Sequence, residues 1–337
     1  MIAHSKPWLL AEDAAALATV VASGWLVGGP GRIAAKQALA AATGAKDAFL
    51  FPSGRVALAS ALRAMVLPAG SGVMVQAYAC DAVVWAIRSA GLTPVLCDLQ
   101  DGWTCGPRSV ADALSDEVRA LILAPPFGLF QSAEPFRAFG LPIIHDLCQA
   151  NPALLADRGA DAGDLAVVSF HPTKYAGASG GGGVLNTLAA YRPALTALEA
   201  EWDAAAPVSE LSAAMIVNQL DRLGAIRTRR EQIAQPFRAG LPSAWTAALA
   251  TQADVQDGDL FRFPLRIDGL DFARAQARCG ERGVAVRRGV DAILTDAQGR
   301  RFANAETAFR STLSIPFYPA LSDEEVERTL AVVADLV

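Results

Sequence analysis

Short apolar runs recur along the first two thirds of the chain: GVMVQAY (72–78), TPVLCDL (93–99), RALILAPP (119–126), LPIIHD (141–146) and DLAVVSF (164–170). Each is rich in Val, Ile and Leu and bounded by Gly, Pro or Asp, which predicts strands buried on both faces. Between them lie amphipathic patterns such as DAVVWAIRSAG (81–91) and RSVADALSDEV (108–118), which read as helices. That alternation predicts an α/β fold: a three-layer sandwich with helices on both faces of a mainly parallel sheet.

From about residue 209 the pattern changes. Residues 209–241 form one long amphipathic segment, with Leu211, Met215, Leu220 and Leu223 near helical spacing. LFRFPLRID and STLSIPF then read as strands, and SDEEVERTLAVVADLV opens on Ser322 as the N-cap of a final helix. The expected organisation is a large domain over 1–224 and a smaller C-terminal α+β domain over 225–337. No internal repeat or low-complexity linker interrupts it.

Composition fits this picture. Of the 337 residues 53% are apolar and 19% charged, as in a well-buried α/β enzyme and unlike a disordered chain. The net charge of −5, with no basic run, argues against nucleic acid as a partner. The five cysteines form no CxxC pair and no pattern with the histidines, so reduced thiols in a cytoplasmic protein are expected, with no metal site. The charge-free stretch 14–31 is rich in Gly and Pro in its second half and follows Glu12 and Asp13, which fits neither a membrane span nor a signal peptide.

Three chemically distinctive positions fall where strands should end, the edge at which open α/β sheets bind ligands. Ser53 and Gly54 precede a helical run starting near Arg55, and the free N–H groups of a helix N-terminus suit a phosphate, although Ser is also an ordinary cap. Asp146 ends the LPIIHD run with Gln149 shortly after; alone, such a carboxylate could simply cap a turn. Lys174 follows DLAVVSF and precedes the block Gly180–Gly183. No Gly-Lys-Ser/Thr follows those glycines, so a nucleotide-triphosphate loop is excluded. A surface lysine is the bland alternative, but lysine rarely follows a buried strand without a partner or a task. Together the three match pyridoxal phosphate: an amine for a Schiff base, a carboxylate for the ring nitrogen, a helix N-terminus for the phosphate.

The segments SGWLVGGPG, SGRVALASAL, AIRSAGLTPVLCDL, HDLCQA, SFHPTK, SELSAAMIVNQLDRL and LSIPFYPALSDEEVERT, in this order, carry a resemblance to the DegT/StrS-type sugar aminotransferases. These are pyridoxal-phosphate enzymes of fold type I, with the aspartate aminotransferase-like architecture. The resemblance implies that Lys174 holds the cofactor and then moves a proton at the substrate carbon, which needs its neutral amine. It gives Asp146 the ring nitrogen, Gln149 the phenolic oxygen, and Ser169 the phosphate together with the backbone of Gly54 and Arg55. The Arg55 side chain either adds charge there or faces solvent, and His171 either assists the acceptor or forms a wall. The resemblance also implies a homodimer with shared active sites, for which GWLVGGPG (24–31) is a candidate lining of the partner's site or only a turn-rich loop.

Some positions depart from the family pattern. Cys80 stands where an aromatic ring often stacks on the cofactor; Ser179 and Gly180 stand in a loop that commonly carries an acid; DAAAPV replaces a segment with an intersubunit Asn. Contacts to a nucleotide sugar are not recognisable, and Arg287 and Arg288 read as a solvated pair or as substrate contacts. The glycine block is expected to be a slim loop near the cofactor. The function expected is transfer of an amino group from an amino-acid donor such as glutamate to a small-molecule keto acceptor, such as a nucleotide-linked keto sugar. Alternatives are a sugar dehydratase or deoxygenase, against which Lys174 argues, and a non-catalytic sensor built on the same fold.

Overall fold

The computed structural model describes residues 1–100, 102–186, 188–250, 256–296 and 299–336. Its strands are β1 (Asp47–Phe51), β2 (Gly72–Gln76), β3 (Thr93–Cys97), β4 (Val118–Leu123), β5 (Ile143–Asp146), β6 (Leu165–Ser169), β7 (Gly182–Asn186), β8 (Phe263–Arg266) and β9 (Thr312–Ile315). The first seven form one sheet in the order β1-β7-β6-β5-β4-β2-β3. β2 to β6 pair in parallel, and β7 runs antiparallel between β1 and β6. β8 and β9 form a separate antiparallel pair.

The three-layer α/β architecture is as the alternating pattern predicts, because the pleat sends neighbouring side chains to opposite cores. In β6, Leu165 and Val167 join the core cluster on one face, while Ala166 and Val168 join the cluster on the other. Each apolar run named above contains a strand. The C-terminal helix Asp323–Ala334 is capped as expected: the Ser322 hydroxyl accepts the Glu325 N–H, and the Glu325 carboxylate accepts the Ser322 N–H.

The sequence reading needs correction in three places. The glycine block is not simply a loop. Gly180 and Gly181 have φ of +143° and +110°, but Gly182 and Gly183 lie within β7, where a Cβ on Gly183 would come 2.6 Å from Leu39. The segment 209–241 is two helices, Glu210–Asp221 and Leu223–Gly240, broken at Arg222. The Arg222 guanidinium turns back to the Trp8 carbonyl (3.1 Å) and the buried carboxylate of Asp13 (2.5 Å), tying the N-terminal segment to the break. The helix after β3 stops at Ala113, short of the pattern that suggested it.

No helix among the described residues is long and apolar enough to cross a membrane.

Candidate active site

β1 delivers the chain to Ser53, whose hydroxyl accepts the Val56 N–H at 3.3 Å and starts the helix Gly54–Ala64. The Ser53 hydroxyl is therefore engaged as a cap, and Ser53 does not line the cleft beside it. Gly54 and Arg55 stand in the first turn, whose N–H groups have no intrahelical acceptor. Ser169, the last residue of β6, comes up against that turn. A Cβ on Gly54 would lie 2.7 Å from the Ser169 Cβ and 2.9 Å from its Oγ, so only glycine lets the hydroxyl sit beside the helix N-terminus.

Asp146 ends β5, and its Oδ1 accepts the Cys148 N–H at 3.0 Å. This turn-capping bond also fixes the carboxylate's orientation. Gln149 accepts the Phe127 N–H on Oε1 at 3.0 Å, which leaves its amide N–H groups as the donors available to a ligand. Lys174 lies in a loop that leaves β6 and folds back on itself: Lys174 N–H bonds the His171 carbonyl (2.8 Å) and Ala178 N–H the Phe170 carbonyl (3.0 Å). The turn is tight, since a Cβ on Gly177 would come 2.3 Å from the Pro172 carbonyl oxygen. The ammonium group sits 5.3 Å from the centre of the Phe261 ring.

Gly54, Arg55, Cys80, Asp146, Gln149, Ser169 and Lys174 thus line one cleft. Ala124, Pro125, Pro126 and Val290 supply apolar walls. Arg55 lies over the Trp85 ring (5.2 Å) and 4.0 Å from Asp81, so its charge is both at the cleft and partly solvated. The Cys80 thiol is at the exposed rim and donates to Asp81 at 3.3 Å. Desolvation raises its pKa, as it does that of Cys148 deeper in the wall, so neither thiol is an activated nucleophile.

His171 is exposed, bonded to the Thr173 hydroxyl (3.0 Å), and is not among the residues lining the cleft. Desolvation, and then the Lys174 charge, lower its pKa and favour the neutral ring. Of the pair Arg287 and Arg288, only Arg287 is exposed. Arg288 is stacked between Phe272 and Phe309, at 4.1 and 4.4 Å, which excludes a solvated pair. The Ser179 hydroxyl pairs with that of Ser212 at 2.7 Å.

The sequence reading missed the contribution of Pro125, Pro126 and Phe127. Phe127 has φ +64°, a costly conformation for an aromatic residue, and its carbonyl accepts the Phe261 N–H at 2.8 Å. The available signal was APPFG directly after an apolar run, at the same sheet edge as Asp146 and Ser169.

The chain matches the DegT/DnrJ/EryC1/StrS aminotransferase family over residues 8–189 and 205–334. It belongs to this family. As a DegT-family protein it is a pyridoxal-phosphate-dependent aminotransferase, and the cleft fits that cofactor. The glycine-permitted approach of Ser169 to a helix N-terminus offers phosphate donors, with a held carboxylate and a lysine on the same cavity wall. Solved structures share its fold. PseC of Helicobacter pylori, an aminotransferase involved in pseudoaminic acid biosynthesis, is 16% identical with a TM-score of 0.87, covering 99% of this chain and 98% of that one. The aminotransferase TlmJ of Streptoalloteichus hindustanus is 22% identical with a TM-score of 0.81 over the same shares. Spr1654 of Streptococcus pneumoniae in its PLP form is 20% identical with a TM-score of 0.85, covering 99% and 98%.

Proposed function

We propose that this DegT-family enzyme moves an amino group from glutamate to a keto acceptor that is a nucleotide-linked keto sugar or a related small ketone. The observation that carries the reading is the convergence of Lys174, Asp146, Gln149 and Ser169 on one cleft beside the Gly54 helix N-terminus. The involvement of PseC, which shares the fold, in the biosynthesis of pseudoaminic acid supports the acceptor class.

Bound pyridoxal phosphate supplies an aldehyde that an amine can join and a ring that can take up electrons. Lys174 Nζ is the amine that would hold the cofactor's aldehyde, and its neutral form would carry a proton at the substrate carbon. Asp146, oriented by the Cys148 N–H, keeps a proton on the ring nitrogen through a charge-assisted bond. Gln149 donates to the phenolic oxygen. The Ser169 hydroxyl and the first-turn N–H groups at Gly54 and Arg55 take the phosphate, with the Arg55 charge nearby. The apolar walls exclude water. His171 stands outside the cleft wall, where it can meet an acceptor arriving from solvent.

The working unit in this reading is a homodimer. Trp25, Leu26 and Val27 in the loop 24–31 are 59%, 49% and 55% exposed, an apolar group that a second copy would cover. The division into domains falls at residue 224, inside the first turn of the helix Leu223–Gly240.

An absorbance spectrum of the purified protein with added cofactor tests the core of this reading. A band at the visible edge that Lys174→Ala abolishes, and that glutamate bleaches in the wild type, is expected. A colourless wild type, or a band indifferent to glutamate, refutes it.

A further inference from the structure

Residues 258–261, which lead from the short 3-10 turn Asp257–Asp259 into β8, run beside the lysine loop and are tied down one after another. The Tyr175 hydroxyl donates to the Gly258 carbonyl at 2.7 Å. The Asp259 carboxylate meets Arg227 at 3.2 Å and accepts the Asn151 amide at 2.8 Å. Arg230 Nη1 donates to the carbonyls of Leu260 and Phe261 at 3.1 and 3.0 Å, and to that of Phe317 at 3.3 Å. Arg230 is itself fixed, 2% exposed and stacked between the rings of Tyr175 and Phe317 at 4.8 and 5.4 Å. The Phe261 N–H donates to the carbonyl of Phe127, whose own N–H is held by Gln149.

So many ties on four residues fix one side chain against the site. Phe261 is 3% exposed, and its ring centre lies 5.3 Å from Lys174 Nζ and 5.1 Å from the Arg262 guanidinium. Among the described residues no hydrogen bond or ion pair engages Lys174 Nζ, so this aromatic ring is the partner the structure gives it. A lysine side chain is flexible, with four carbons and many rotamers. A ring that cannot move confines the amine and so lowers the entropy lost when the amine forms a bond.

We propose that Phe261 is a positioning residue for Lys174: its braced ring holds the amine at the cleft, ready to join the cofactor's aldehyde. The inference rests on the reading of Lys174 as the cofactor-holding lysine. The brace acts through the backbone of 258–261, whereas the contact with Lys174 is made by the Phe261 side chain alone. Exchanging that side chain therefore leaves in place the Phe127 turn and, with it, Gln149.

The test compares two forms of the cofactor by fluorescence titration of the full chain freed of cofactor. Pyridoxal phosphate carries an aldehyde that an amine joins with loss of water; pyridoxamine phosphate carries an amine there and binds without that bond. In Phe261→Leu, which keeps an apolar side chain but no ring face, affinity for pyridoxal phosphate falls about fivefold or more, while affinity for pyridoxamine phosphate stays within about twofold of wild type. Tyr175→Phe removes the tie to Gly258 and keeps the ring on Arg230. It shifts the two affinities in the same sense and decides the matter should Phe261→Leu fail to fold. Equal weakening of both forms makes Phe261 a packing residue and overturns the proposal, as does no change in either or tighter binding of the aldehyde. A wild-type band that Lys174→Ala abolishes, together with no split between the two forms in Phe261→Leu, removes only the role of Phe261. A wild type without that band removes the lysine reading itself.

Discussion

Gly54 and Ser169 meet so closely that the α-carbon hydrogen of one stands where any side chain would strike the other: a Cβ at residue 54 would lie 2.7 Å from the Ser169 Cβ and 3.1 Å from the Cys148 Sγ. Both contacts are with short side chains, at the end of β6 and in the turn after β5, which cannot swing away. Gly54→Ala should therefore destabilise the protein by about 1–3 kcal/mol through overpacking. Cofactor affinity should fall with it. Thermal denaturation and cofactor titration check the two effects separately; an unchanged affinity would remove Ser169 and the helix N-terminus from the phosphate site.

Asp146→Asn keeps the shape of the side chain but removes its charge. The half-reaction with glutamate, followed by stopped-flow absorbance, should slow by several orders of magnitude while the folded structure persists. Near-normal turnover would show that the ring nitrogen has another partner.

Replacing Cys80 by Phe should return an aromatic surface to the rim of the cleft. Cofactor binding should tighten by about 1 kcal/mol, the order of one ring-stacking contact. A dissociation constant from fluorescence titration reads this directly, and weaker binding would mean that residue 80 does not face the ring.

His145, beside Asp146 on β5, is fully buried with both ring nitrogens unpartnered, tilted against Phe130 at 4.8 Å. Burial alone lowers its pKa from 6.5 to about 3. The unfolded chain thus binds this proton more readily than the folded one. The corresponding stability is fully present above about pH 6.5 and is lost as pH falls toward about 3, at about 1.4 kcal/mol per pH unit. Denaturant unfolding of His145→Leu across that window should show a shallower acid slope by this amount; a slope equal to wild type would mean that the ring is protonated in the folded state.

Arg222 joins the break between two helices to Asp13, whose carboxylate is buried, and to the Trp8 carbonyl. Arg222→Leu leaves that carboxylate without its cation and should cost about 3 kcal/mol. Because Trp8 and Lys174 line the same small cavity, activity should fall alongside stability. The double variant with Asp13→Asn should recover part of the loss, and chemical denaturation of the set measures it.

Much of this was legible from local pattern. Buried strands announce themselves by apolar runs, so the sheet edge carrying Asp146, Ser169 and, just beyond it, Lys174 followed from chain order. What escaped depends on contacts distant in sequence. β7 is hidden because glycine has little strand preference, and only its partners β1 and β6 make it a strand. Arg230 sits in RTRRE, a run that reads as a solvated helix face until Tyr175 and Phe317 close over it. The break at Arg222 has no mark in the apolar spacing, since the cause is a carboxylate more than two hundred residues earlier.

The glycine strand also bears on how the protein can change over time. Gly181 bridges to Ser53 on one side and accepts the Phe170 N–H at 2.9 Å on the other, so backbone atoms alone set the spacing between the helix Gly54–Ala64 and the lysine loop. The exposed side chains of His171 and Ser179 can be exchanged without disturbing that spacing. Mutational drift there can retune which acceptor is admitted while the chemistry stays in register, whereas Gly182, whose added Cβ would lie 2.5 Å from the Gly54 nitrogen, has almost no freedom to vary.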